Sequence, residues 1–234
     1  MDLGSQNSAA VEDYLKAILE LARPQAPVST SAIAKRLGVS PAAVTAMLKR
    51  LSDQALVNHV PYYGVQLTAA GEHEAARVLR RHRVLELFLF EVLEYTWDEV
   101  HAEAERLEHS ASDALIEAML RFLNHPTQDP HGAPIPGPGR PVEEPRYPSL
   151  WELAAGCRAV LRRVGDRDPE FLRSLASLEM LPGAELEVLE RPAGEEVLRV
   201  RCRGRERVLG REMSQRLQVE PLTTTPAAEG ELHA

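Results

Sequence analysis

Three histidines and three glutamates between residues 82 and 109 are spaced so that they share helix faces. They are His82 and Glu86 on one predicted helix, and His101, Glu105, Glu108 and His109 on the next. At about 100° per residue, the four side chains of the second helix point within about a quarter turn of one another. The pair on the first helix, four residues apart, also shares a face. Together these residues form a candidate ligand set for a metal ion.

Carboxylates and imidazoles gathered in this way repel one another and are costly to bury without a compensating charge. A divalent cation would relieve that cost. A ligand set without thiolate or thioether suits Mn²⁺ or Fe²⁺, although raw affinity still favours Cu²⁺ or Zn²⁺, so selectivity must come from geometry and metal supply. The alternative interpretation is a solvated polar face with acid–histidine pairs on the surface.

The sequence shows no sign of an enzyme. It contains no His-Glu-x-x-His motif, no nucleophile elbow and no Gly-rich phosphate loop. The glycines of residues 132–139 are interrupted by prolines, which lack the N–H donor that a phosphate cradle uses. A metallo-hydrolase is therefore the least favoured class, because no general base remains beyond the candidate ligands.

Helical periodicity dominates the first half of the chain. Apolar residues at Val11, Leu15, Ile18 and Leu19 give a 3.6-residue stripe that predicts the first helix. By the same reasoning, we predict helices at 8–21, 69–93, 97–108 and 113–123.

Residues 29–56 predict two helices joined by a tight turn. Gly38 ends the first, as the residue most tolerant of a left-handed backbone, and Ser40 caps the second, with Pro41 at its first position. This is the helix-turn-helix pattern. Strand-like runs on either side of a turn at 61–64 predict a hairpin, or wing, directly after it.

The second helix of this pair would read DNA. Small side chains near its start allow close approach to a major groove, where Thr45 could contact a thymine methyl group and Ser40 a phosphate. Nearby cations would add affinity rather than sequence choice. The candidate DNA-binding residues are Lys35, Arg36, Ser40, Pro41, Ala42, Thr45, Lys49 and Arg50, with Tyr62 and Tyr63 at the wing tip. The alternative is a hairpin of helices packed for stability.

The charge distribution supports two separate tasks. The net charge of the whole chain is −8, which by itself argues against binding to nucleic acid. However, residues 28–71 carry four basic side chains and one acid, whereas residues 84–120 carry ten acids and one arginine. A locally basic segment therefore precedes a strongly acidic one.

The second half of the chain begins with a proline-rich boundary. Residues 126–148 contain eight prolines and three glycines, which predicts a semi-rigid linker. Beyond it, strands at 184–190, 196–202 and 207–209 and a helix at 168–178 predict a small β-barrel or sandwich. The absence of a long apolar run, of a signal peptide and of a disulfide framework predicts a cytoplasmic protein.

Taken together, these features resemble the diphtheria-toxin-repressor family of metal-dependent regulators, which includes the manganese-transport regulators. The resemblance covers almost the whole chain. It rests on Val-Glu-Asp-Tyr-Leu-Lys-Ala-Ile at 11–18, the helix-turn-helix and wing, the histidine and glutamate spacing, the stretch 132–137, and Leu-Pro-Gly at 181–183.

The resemblance implies a mainly α fold with a small all-β C-terminal domain. The expected parts are a winged helix-turn-helix domain at 1–71, a helical metal-binding and dimerisation domain at 72–125, and a Pro-rich linker at 126–149. An SH3-like barrel at 150–223 and a disordered tail at 224–234 would follow. The expected partners are a second copy of the chain and a palindromic DNA operator.

The resemblance also implies two separated metal sites. The primary site would be Asp13, Glu105, Glu108 and His109. The ancillary site would be His82, Glu86 and His101, with Asp168 and Glu170 as the nearest candidates from the third domain. Iron-type members carry methionine and cysteine at the positions of Asp13 and Glu105, so acids here favour Mn²⁺.

Lys16 stands where manganese-type members with a binuclear site carry a glutamate, and a cation there disfavours a second close metal. The expected function is Mn²⁺-dependent control of metal-homeostasis genes, with repression of uptake. Two alternatives stay open: an Fe²⁺-dependent repressor of the same family, and a metal-storing protein whose helix-turn-helix is vestigial.

Overall fold

The structure, a computed structural model, describes residues 8–22, 27–60, 63–139, 145–192 and 194–222. It divides into two compact units. The described residues of the first unit fall within Met1–Glu94, Ala102–Asp129 and Pro134–Glu143, and those of the second within Tyr95–His101, Pro130–Ala133 and Glu144–Ala234.

The first unit is built from helices and one hairpin. Its elements are α1 (Ala9–Leu21), α2 (Thr30–Leu37), α3 (Pro41–Asp53), β1 (Val57–Val60), β2 (Gly64–Leu67), α4 (Ala69–Glu91), α5 (Val100–Leu107) and α6 (Asp113–Phe122). The first two residues of α5 are grouped with the second unit.

The predicted helix-turn-helix and wing are confirmed. The Ser29 hydroxyl accepts a hydrogen bond from the Ala32 N–H, Gly38 has a φ of 67°, and the Ser40 hydroxyl accepts from the Ala43 N–H. Strands β1 and β2 pair antiparallel, with Val57 opposite Leu67. These features depend on neighbouring residues, and so the local sequence predicts them.

The core of the helix-turn-helix includes one face of α1. Val11, Leu15 and Ile18 of α1 are fully buried in one cluster with Val44 and Leu48 of α3. Since α1 also packs against α2 and α4, its orientation is tied to that of the helix-turn-helix.

The predicted start of α5 is wrong, and its end lies one residue before the approximate prediction. The helix begins at Val100 rather than at 97, because the Thr96 hydroxyl donates to a Glu99 carboxylate oxygen at 2.7 Å and closes a turn there. It ends at Leu107, and so Glu108 and His109 lie in the following turn. Glu108 still donates its N–H to the Ala104 carbonyl.

The second unit contains an antiparallel sheet. Its elements are a 3-10 helix (Leu150–Glu152), β3 (Arg158–Arg163), α7 (Pro169–Ser177), β4 (Glu185–Glu190), β5 (Val197–Cys202), β6 (Arg205–Gly210), α8 (Arg211–Gln215) and β7 (Gln218–Pro221). The strand order is β6-β5-β4-β3-β7. Among the described residues β6 and β7 remain edges, so the predicted barrel is not closed.

Part of the proline-rich segment is closely packed. Gly132 has a φ of 86°, and a Cβ placed there would lie 1.8 Å from the Arg162 carbonyl oxygen. The neighbouring His131 carbonyl accepts a hydrogen bond from the Val164 N–H at 3.0 Å. Proline content indicates where helices and central strands are excluded, but it does not exclude this kind of packing.

Three other expectations concern the whole chain. Both cysteines, for which the sequence suggested no disulfide framework, are free. In the described parts of the chain, no helix combines the length and apolarity needed to cross a bilayer. The predicted disordered tail at 224–234 lies outside the described residues.

Candidate metal centre and DNA-binding surface

The polar face of α1 meets the end of α5 in a cluster of ligand-type side chains. Asp13, Glu108 and His109 each offer one ligand atom, and these atoms lie within 4.8 Å of one another. The Nε2 atom of His109 is 2.9 Å from Asp13 Oδ1 and 3.5 Å from Glu108 Oε1. Three of the four residues expected in the primary site are thus brought together around one histidine nitrogen.

Glu12 orients this histidine and was missed by the sequence analysis. The Nδ1 atom of His109 lies 2.7 Å from Glu12 Oε2, and Glu12 is only 3% exposed. A carboxylate on one ring nitrogen of a ligating histidine favours the tautomer that leaves the other nitrogen available. Local sequence offers no signal for this role, because Glu12 and His109 are far apart along the chain.

Lys16 places a buried cation beside the same cluster. Its Nζ atom lies 2.9 Å from Glu105 Oε1 and 2.5 Å from Glu108 Oε1. Burial opposes the charge of Lys16, but Glu108 and Glu105 raise the pKa of its amine above the ordinary value. Glu105, the fourth residue of the expected primary site, therefore joins the cluster through this ammonium group.

The donor set fits a hard divalent cation. It consists of the carboxylates of Asp13, Glu105 and Glu108 and one imidazole, with no sulfur. Glu108 is fully buried, and burial raises the pKa of Asp13 despite the nearby His109 and Lys16. Carboxylates in such surroundings need a compensating positive charge. Oxygen-rich sets with imidazole suit Mn²⁺ or Fe²⁺ better than soft-ligand metals.

His82 connects two of the expected ligand groups through Glu108. Its Nδ1 atom lies 2.6 Å from Glu108 Oε2, and its Nε2 atom lies 3.0 Å from Glu86 Oε1. Burial alone would lower the pKa of His82, but Glu86 and Glu108 raise it to about 10. In the metal-free protein His82 is therefore a cation at neutral pH.

The metal-free protein should lose stability as the pH rises. His82 titrates near 6.5 when unfolded and near 10 when folded, so its stabilising effect is complete below about pH 6.5 and is lost as the pH rises through about 10. Burial opposes the charge of His109 as well, yet Glu12, Glu108 and Asp13 raise its pKa, which adds in the same direction.

Urea unfolding in the presence of a chelator, between pH 7 and 10, measures this effect. We expect a loss on the order of a few kcal/mol for the wild type and a flatter profile for His82→Gln. Because metal binding displaces the same protons, metal affinity should rise over that range. A wild-type profile as flat as that of the variant would contradict the prediction.

The second unit requires a correction to the ancillary ligands. Asp168 caps α7 by accepting from the Phe171 N–H at 3.1 Å, and it also accepts from Arg216 at 2.9 Å. Glu170 is exposed. The acid near His101 is instead Asp166, with its Oδ2 atom 3.6 Å from His101 Nδ1. Asp168 and Glu170 were the acids nearest to the position that the resemblance implied. Asp168 instead caps the N-terminus of α7.

The predicted shared face on α5 holds only in part. Glu105 and Glu108 both contact Lys16, and His109 turns to Asp13 and Glu12. Because α5 ends at Leu107, helical spacing no longer sets the direction of His109. His101, near the start of α5, is grouped with the second unit.

The candidate DNA-binding residues form an exposed surface on α2, α3 and the wing. The exposed ones are Lys35, Ser40, Pro41, Ala42, Thr45, Lys49, Arg50 and Tyr63. Arg36 forms an ion pair with Glu20, and the Thr45 hydroxyl donates to the Pro41 carbonyl oxygen at 3.0 Å. Tyr62 lies outside the described residues.

Large apolar side chains on α5 and α6 of the first unit are exposed. Leu107 is 38% exposed, Leu115 46% and Phe122 71%, and the Phe122 ring packs edge-on against Phe88 with centroids 6.0 Å apart. Where such side chains form one patch, they commonly mark a protein–protein interface.

Family comparisons assign each part of the chain. Residues 7–65 match the N-terminal DNA-binding domain of iron-dependent repressors, and residues 68–137 match their metal-binding and dimerisation domain. Residues 149–221 match the FeoA domain.

Individual proteins agree with this assignment. The chain is 31% identical over 222 residues to the iron-dependent repressor IdeR of Mycobacterium leprae. This alignment covers 89% of this chain and 96% of the relative. The chain is 37% identical over 123 residues to the transcriptional regulator MntR of Escherichia coli, covering 53% and 76%. A solved manganese-dependent transcriptional repressor in complex with manganese superposes with a TM-score of 0.82 at 38% identity, covering 91% of this chain and all of that one.

Proposed function

The chain belongs to the diphtheria-toxin-repressor and manganese-transport-regulator family of metal-dependent transcriptional repressors, and from this we propose that Mn²⁺ is its effector and metal-uptake genes are its targets. As a regulator of transcription it would act in the cytoplasm. The chain matches both the iron-dependent repressor IdeR and the regulator MntR, so we argue the choice of metal from the ligands of this chain.

One observation carries the proposal: α1 contributes to two structures at once. Its apolar face, with Val11, Leu15 and Ile18, is buried in the helix-turn-helix core. Its polar face places Asp13 beside Glu108 and His109 of the following helical region. A divalent cation bound by these residues would hold α1, and with it the recognition helix, at a defined angle to the helical region.

The ligand types favour Mn²⁺ over Fe²⁺. Asp13 and Glu105 supply carboxylates where iron-type members carry sulfur, and hard oxygen ligands suit Mn²⁺. The second candidate effector, Fe²⁺, retains the support of the histidine ligand and of the iron-dependent relatives. Two metal ions per chain remain our expectation, with His82, Glu86 and His101 as the proposed ancillary ligands.

A homodimer on palindromic DNA completes the proposal. The exposed apolar side chains of Leu107, Leu115 and Phe122 would be covered by a second copy of the chain. A two-fold dimer presents two recognition helices to two half-sites about one helical turn, roughly 34–36 Å, apart. The metal shifts the population toward this arrangement only insofar as the DNA-competent state binds metal more tightly.

Titration against a genomic fragment library would test the function. The library is incubated with the protein and chelator, Mn²⁺ or Fe²⁺ under anoxic conditions, and the retained fragments are sequenced. We expect saturable retention of fragments with palindromic half-sites in Mn²⁺, weaker retention in Fe²⁺ and little in chelator. Equal retention in chelator would refute a metal effector, and stronger retention in Fe²⁺ would favour the iron alternative.

A further inference from the structure

Both carboxylate oxygens of Glu108 have close partners in the metal cluster. Its Oε1 atom lies 2.5 Å from the Lys16 ammonium and 3.5 Å from His109 Nε2, while its Oε2 atom lies 2.6 Å from His82 Nδ1. Both oxygens therefore face a positive or hydrogen-bonding partner. A cation held by His109 Nε2 and Glu108 Oε1 has to share that oxygen with the ammonium group of Lys16.

We propose that Lys16 is a tethered competitor of the metal ion, which neutralises Glu105 and Glu108 in the metal-free protein and so raises the metal concentration at which the repressor responds. This rests on the proposed metal site and adds a residue that sets its affinity. Lys16 is not itself a ligand, because a charged ammonium has no lone pair to donate.

The position of Lys16 supports this role over a purely stabilising one. The residue is only 4% exposed, and lysine is rarely buried unless it is paired. A buried ion pair is weak evidence for stability, since replacing both partners by apolar side chains of similar size is often neutral or stabilising, whereas removing one partner leaves a costly unpaired charge. Along the same helix, Val11, Leu15 and Ile18 show that apolar burial is used where stability alone is needed.

Electrostatics gives the direction of the effect. A fixed unit charge within a few ångströms of a dication opposes binding, and the Lys16–Glu108 pair is buried, so salt screens it little. Removal of the ammonium leaves Asp13, Glu105 and Glu108 with fewer compensating cations. The metal-free form then loses stability, whereas the metal-bound form regains its compensation from the metal.

Three variants separate charge from shape. Lys16→Met removes the charge and keeps a long unbranched side chain, Lys16→Arg keeps the charge, and Arg121→Met removes an exposed cation of α6 that lies outside the cluster. Competition with a chelating dye gives the Mn²⁺ dissociation constant of each variant independently of DNA. Thermal unfolding with chelator and with Mn²⁺ gives the stabilisation by metal.

We expect Lys16→Met to bind Mn²⁺ at least about tenfold more tightly, to melt at a lower temperature in chelator, and to gain more from Mn²⁺ than the wild type. Lys16→Arg and Arg121→Met should stay close to wild-type affinity. If Lys16→Met folds only with Mn²⁺, competition started from the loaded protein still yields its affinity.

Unchanged or weaker Mn²⁺ binding by Lys16→Met would overturn the proposal, as would an equal gain in Lys16→Arg. These results differ from a failure of the proposed function. If the wild type binds no Mn²⁺, both ideas fail. If the wild type binds Mn²⁺ and only Lys16→Met behaves unexpectedly, the repressor assignment stands and the role of Lys16 falls.

Discussion

Replacement of Glu108 by glutamine should abolish the metal dependence of DNA binding. The carboxylate is fully buried and lies next to Lys16, His82 and His109. The amide keeps the size of the side chain but removes the charge that a dication needs, so we expect Mn²⁺ affinity to fall at least about 100-fold. DNA affinity in Mn²⁺ should then match that of the wild type in chelator. Calorimetric metal titration and fluorescence anisotropy on an operator duplex measure both effects.

Glu103→Gln provides the matched control for this variant. Glu103 lies on α5, five residues before Glu108, but pairs with Arg106, outside the cluster. The Glu103→Gln variant should retain wild-type metal and DNA binding, which would show that the loss of one glutamate charge in this region is not by itself the cause. Normal metal activation in a folded Glu108→Gln protein, checked by circular dichroism, would remove Glu108 from the ligand set.

Alanine at both Lys49 and Arg50 should weaken binding to every DNA sequence. Both side chains are exposed on the recognition helix α3. Each phosphate contact releases condensed counterions and contributes about 0.9 to the slope of log affinity against log salt, so the slope should flatten by about 1.8 per protomer. At low salt we expect a loss of roughly 10- to 100-fold on operator and random duplexes alike.

Arg158→Ala with Arg205→Ala removes the same net charge from the second unit and serves as the control. Both arginines are exposed and pair with glutamates there. Anisotropy titrations from 50 to 300 mM salt distinguish the two double variants. A salt slope that stays the same in the Lys49 and Arg50 variant, or a loss confined to the operator, would contradict phosphate binding by these residues.

The parts of the fold that depend on neighbouring residues were predictable. The caps at Ser29 and Ser40 and the left-handed Gly38 follow from interactions within a few residues, and all are present. In the second unit, β4, β5 and part of β6 were predicted as strands separated by turn signals, whereas β3 and β7 were not. Strand β3 carries arginines at both ends and β7 has four residues, so their sheet partners decide that they are strands.

Residues of the candidate centre were named from spacing and resemblance, but their arrangement required the structure. Helical spacing indicated that Glu105 and Glu108 share a direction, and the Lys16 contacts agree with it. Helical spacing could not place Asp13 next to His109, because this contact joins residues that are 96 positions apart in the sequence.

The sequence by itself determined the helix-turn-helix, the ligand types and the separation of basic from acidic segments, since these are properties of residue identity and short-range periodicity. Only the tertiary structure decided that Glu12 orients His109, that Lys16 lies between Glu105 and Glu108, and that Asp166 faces His101. These outcomes depend on how helices and loops pack over long sequence separations. Which charge meets which partner is therefore set by packing.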